Sequence, residues 1–75
     1  MLTLKMTDGQ EVEIGEHVIR AERWPGCWHL VYNGIHGHSH EIKGGIYIMT
    51  KRMRGSDVRV VIKAPRDVKI RLLDK

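Results

Sequence analysis

The sequence predicts an all-β domain, a small meander or partly open barrel of short antiparallel strands. Three observations carry this. Apolar and polar residues alternate in short runs, as in Val58-Arg59-Val60-Val61-Ile62-Lys63. There Val58, Val60 and Ile62 share one face, and Arg59 and Lys63 share the other. Hairpin turn dipeptides, Asp8-Gly9 and Asn33-Gly34, separate such runs. The one ambiguous run, His17 to Arg23, is rich in β-branched residues near its start and too short for a stable helix.

Taken in order, Leu2, Leu4 and Met6 alternate with Thr3, Lys5 and Thr7 in the first strand. Asp8-Gly9 turns the chain into Glu11 to Ile14, with Val12 and Ile14 inward and Glu11 and Glu13 outward. Gly15-Glu16 breaks this strand, and His17 to Arg23 follows as the third. Pro25-Gly26 marks a turn. Trp28, Leu30 and Tyr32 then lie on one side of a strand, and His29 and Val31 on the other. After Asn33-Gly34 the chain returns over Ile35 to Ile42, interrupted by Gly37. Lys43-Gly44-Gly45 leads into Ile46 to Met53, and Arg54 to Asp57 turns it into Val58 to Lys63. Proline has no N–H to donate, so Ala64-Pro65 separates that strand from a last one, Val68 to Leu72. The tail from Leu72 to Lys75 is too short for a helix.

Seventy-five residues make a single domain, residues 1–75. A chain of this size buries only about 60% of its unfolded surface, and dimerisation is a common remedy. The lone Cys27 cannot close an internal disulfide and suggests a reducing compartment. No apolar run approaches the ~20 residues that cross a bilayer, and no signal segment stands at the start, so a cytoplasmic protein without a membrane partner is expected. The charge is uneven. Met1 to Glu41 carries three Lys and Arg against six acids, whereas Ile42 to Lys75 carries ten against three. A basic half of this density is the usual footprint of a nucleic-acid binder. Arg59 and Lys63, Lys69 and Arg71, and the approach residues Lys51, Arg52 and Arg54 supply it.

Two blocks of sequence resemble a known family. Gly55, Val58-Arg59-Val60, Ile62, Ala64-Pro65-Arg66-Asp67-Val68 and Ile70 match its last two strands. Met1-Leu2, Leu4, Gly9, Ile14-Gly15-Glu16 and Val18 match its start without a gap. The family is that of the carbon storage regulators, small bacterial translational regulators that bind RNA as strand-swapped β dimers. The family-like strands occupy residues 1–18 and 46–72, and a β-hairpin region of about residues 19–45 is inserted between them. The resemblance implies an intertwined homodimer that binds mRNA leaders and occludes the ribosome site. It implies RNA contacts at Leu4, Ala64, Pro65, Arg66 and Ile70, to which the cations of the first and last strands add Lys5, Lys69 and Arg71. The family's first-strand arginine falls here on Met6, and the basic residue after it on Thr7. The last-strand arginine falls on Leu72, with Arg71 one place early. A displacement of one residue reverses the face of a strand, so Arg71 and Lys5 take over those roles only where a bulge shifts the register.

Two further groups are chemically notable. Cys27, His29, His36, His38 and His40 are candidate metal ligands, because residues two apart on a strand share a face. With no second cysteine, exposed histidines are the expected reading, and no cofactor is expected. Trp24, Trp28 and Tyr32 are candidate anchors for a protein partner. Neighbouring residues in a strand point to opposite faces, so Glu16 and His17 do not form a catalytic pair, and no enzyme is expected. The leading expectation is an RNA-binding translational regulator. The alternative is a small protein-binding inhibitor or adaptor, of the mobile-element kind, gripping its partner through the Trp- and His-rich insert.

Overall fold

The computed structural model describes residues 1–73, with the backbone alone at residues 52–54. The fold is all-β. Its described strands are β1 (Leu2–Thr7), β2 (Glu11–Ile14), β3 (His17–Trp24), β4 (Cys27–Tyr32), β5 (Ile35–Gly37), β6 (Ser39–Ile42), β7 (Ile46–Arg54), β8 (Asp57–Lys63) and β9 (Ile70–Leu73). They form two antiparallel sheets, one in the order β1-β8-β7-β6 and the other β5-β4-β3-β2-β9. The sheets pack face to face and do not close into a barrel.

Alternation places the core. Met6, Val58, Val60, Ile62 and Ile48 point inward from the four-stranded sheet, and Val12, Ile14, Ile19, Ala21, Trp28 and Leu30 meet them from the other. All are buried, and no polar or charged residue is buried among the described residues. The Asn33-Gly34 turn takes φ +50° and +76°. Positive φ at both central positions matches the right-handed twist of the flanking strands, which is why β4 and β5 form a tight hairpin.

Two expectations need correction. The run from Ile35 to Ile42 is two strands in different sheets. At His38 the chain leaves the five-stranded sheet, and the Thr50 N–H donates to the His38 carbonyl at 2.9 Å, starting β6 alongside β7. Gly37, without a side chain, sits at this crossing. Next, the last strand begins at Ile70 rather than Val68. Val68 N–H closes a turn onto the Pro65 carbonyl at 3.1 Å, and the Gly15 N–H donates to the Lys69 carbonyl at 2.8 Å. That turn carries the chain across to the other sheet, so β9 pairs with β2 and not with β8.

β1 pairs with β8 and β9 with β2, both within the chain. Because β5 and β6 are joined through His38 at one side of the sandwich, the free edges β1 and β9 lie on the other. The side chains of Arg52 and Arg54, and residues 74–75 of the tail, lie outside the described residues.

Candidate nucleic-acid face and a cysteine-histidine cluster

The outer face of the four-stranded sheet is cationic. Lys5 on β1 lies directly opposite Arg59 on β8, and both are exposed. Lys63 follows on the same face of β8, opposite Tyr47 on β7. An open groove runs from Lys63 past Tyr47 to Lys43 and Gly44. Among the described residues, none of Lys5, Arg59, Lys63 and Lys43 takes part in an ion pair. Like charges directly opposite across two strands repel, so the Lys5–Arg59 pair costs the sheet stability.

The other expected RNA contacts are scattered. The β1–β8 register runs without a bulge from Leu2↔Ile62 to Thr7↔Asp57. Met6 is therefore buried, Lys5 points outward, and Leu4 packs against the core. The β2–β9 register is equally regular, with Val12 opposite Leu72 and Glu13 opposite Arg71. Arg71 thus sits on the outer face of the other sheet, its guanidinium 3.2 Å from the Glu13 carboxylate. No bulge brings Arg71 onto the face of Leu72. Ile70 packs against the core, as does Ala64. Pro65, Arg66 and Lys69 are exposed on the connection between the sheets.

The cysteine and histidines divide in the same way. Cys27 and His29 lie two apart on β4 and face outward, opposite Trp24 and Glu22 of β3. The Pro25-Gly26 turn sets that pairing. Cys27 Sγ lies 3.1 Å from His29 Nε2. The Trp24 ring stacks on the His29 ring, with centroids 5.2 Å apart and planes 15° from parallel. His36 and His38 approach His29 from the β5 side, with ring centroids at 6.0 and 5.5 Å. His40 does not join them. Beyond the crossing it points inward, its Nε2–H donating to the Leu30 carbonyl at 2.7 Å. The expectation that His36, His38 and His40 point together fails because the chain changes sheets between the second and third.

No family model, curated protein or solved structure matches this chain.

Among the expected protein anchors, Trp28 is part of the core and Tyr32 is half-buried, hydrogen-bonded through its hydroxyl to His17 Nδ1 at 2.8 Å. Neither is presented to a partner, whereas Trp24 is 46% exposed. Sequence reasoning missed Glu22. Its carboxylate accepts from Trp24 Nε1 at 3.1 Å and Arg20 Nε at 2.8 Å, and lies 3.6 Å from His36 Nε2. The spacing Arg20-x-Glu22-x-Trp24 on one strand face was the available signal.

The hydrogen bond from Trp24, followed by that from Arg20, holds the Glu22 carboxyl below its ordinary value. A depressed folded-state value means that its contribution to stability is present above the unfolded value, near pH 4, and is lost as pH falls through the folded one. Carbon-detected NMR titration of the Glu22 carboxyl should therefore give a midpoint below the ordinary glutamate value. In Trp24→Phe the midpoint should rise; an unchanged midpoint would remove the indole as the main cause.

Proposed function

We propose that this protein binds RNA, and that the outer face of the four-stranded sheet is its binding surface. The observation that carries the reading is the Lys5–Arg59 pair. Two exposed cations are held side by side on rigid strands, with no carboxylate partner among the described residues. A backbone phosphate relieves their repulsion, and such contacts supply sequence-independent affinity. Lys63 extends the track along β8, and Tyr47 beside it offers a ring for a base to stack on. The net charge of +4 points the same way.

This reading keeps the RNA-regulator expectation but moves its surface. Arg71 is neutralised by Glu13, and Leu4 and Ile70 are engaged with the core, so β8 rather than β9 carries the interface. The activity proposed is post-transcriptional: occupancy of a stretch of message masks it from the ribosome.

A salt series on a fluorescent RNA hairpin with a GGA loop, and on its scrambled counterpart, tests this. Binding should weaken steeply with salt for both. In a Lys5→Ala/Arg59→Ala double variant the slope of log affinity against log salt should fall by about 1.4, at ~0.7 per lost single-strand phosphate contact. A Lys69→Ala/Arg71→Ala variant should change it less. Absence of binding at low salt, or a slope indifferent to Lys5 and Arg59, would overturn the assignment.

A further inference from the structure

The outer face of the five-stranded sheet holds a set of groups that RNA binding does not use. Cys27 Sγ and one ring nitrogen from each of His29 and His38 all lie within 4.8 Å of one another. Tetrahedral zinc, with sulfur at about 2.3 Å and nitrogen at about 2.0–2.1 Å, holds its ligands roughly 3.3–3.7 Å apart. Small rotamer adjustments of His38, which is exposed, close that difference.

A second observation concerns His29. Its Nδ1 is buried and has no hydrogen-bond partner among the described residues. The other ring nitrogen, Nε2, faces Cys27 Sγ at 3.1 Å, so a metal shared with Cys27 is held through Nε2, while Nδ1 lies on the other side of the ring. The ring is also held in place, stacked beneath Trp24 on the central part of the sheet. Rigid placement of ligands on strands lowers the ordering cost of binding.

We propose that Cys27, His29 and His38 form a zinc site on this face, with the fourth position open to solvent beside His36. One thiolate and two imidazoles make a borderline donor set, which favours zinc over calcium or magnesium, whose ligands are oxygens. The carboxylate of Glu22, which lies opposite His29 on β3, is already occupied by Arg20 and Trp24. Its approach to His36 at 3.6 Å places a carboxylate–imidazole pair at the rim of the open position. Binding displaces the proton of the Cys27 thiol to solvent, because the thiolate is the metal ligand.

The test uses the full chain, reduced and freed of metal by chelator. Titrated with Co2+, it should develop a thiolate-to-cobalt charge-transfer absorption that saturates at one ion per chain and is removed by Zn2+. Zinc should also protect Cys27 from a thiol-modifying reagent. Cys27→Ser should abolish the charge-transfer band. His38→Ala should weaken zinc binding by at least about tenfold, the scale set by loss of even an outer-shell partner. That variant should fold, since the exposed His38 ring makes only an edge contact with His29 and the hydrogen bonds of this residue run through its backbone carbonyl to Thr50, and circular dichroism checks it. His40→Ala should leave cobalt binding intact, because its Nε2 is committed to the Leu30 carbonyl. A folded parent protein without the charge-transfer band would overturn the proposal. So would a His40→Ala variant as impaired as His38→Ala. No RNA is present in these measurements, so the two readings stand or fall separately.

Discussion

Trp28→Ala is expected to leave most molecules unfolded at 25 °C. Trp28 is only 4% exposed and packs in the core between the two sheets. Truncating a buried tryptophan costs about 3–5 kcal/mol, the lost transfer energy plus the cavity left behind. A single core in a chain of this length supplies roughly 3–5 kcal/mol in total, so the loss matches the whole. The core offers little to fill the gap, because its other buried members, Met6 apart, are aliphatic side chains held on strands whose register is set by hydrogen bonds. Urea denaturation followed by circular dichroism provides the check. A cooperative transition within about 1 kcal/mol of the parent would mean that Trp28 does not sit where the two sheets meet.

Lys5→Glu is expected to separate stability from RNA binding. The substitution puts a carboxylate directly opposite Arg59 on β8. It converts a repulsive cross-strand pair into an attractive one, which should stabilise the fold by about 0.2–1 kcal/mol. It also removes one cation from the proposed surface and neutralises a second, so RNA affinity should fall steeply at low salt. A loss of binding from a destabilised protein is a common artefact; here the expected changes have opposite signs. The midpoint of thermal unfolding and RNA affinity, measured on the same preparation, decide the matter. RNA binding that survives Lys5→Glu unchanged would place the contacts elsewhere, with Arg66 and Lys69 on the exposed connection as the next candidates.

The exposed cations and the cysteine-histidine cluster lie on opposite outer faces of the sandwich. One face is suited to a polyanion and the other to a cation, with the apolar core between them. The charge imbalance along the chain accounts for part of this, since Arg59 and Lys63 of β8 come from the basic half and β3 and β4 from the acidic one, while Lys5 is brought in from the acidic half by β1.

Much of this was legible without a structure. A period of two assigns each residue to one face of its own strand, and that is local information. Hence Val58, Val60 and Ile62 are inward, Arg59 and Lys63 outward, and Trp28 and Leu30 opposite to His29, as the alternation predicts. Turn dipeptides marked the hairpins, because only certain residues take positive φ cheaply. Which strands become neighbours is a non-local matter. Nothing in Val58–Lys63 or Ile70–Leu73 says that they join different sheets, so two basic strands that look like one surface are parted. Nothing in the spacing His36-x-His38-x-His40 reveals that the chain crosses from one sheet to the other at His38, turning His40 inward. The strand faces were determined by the sequence alone. The gathering of Lys5 with Arg59, and of Cys27 and His29 with His38, was decided by tertiary structure, because pairing depends on the fit of whole apolar faces rather than on any local run.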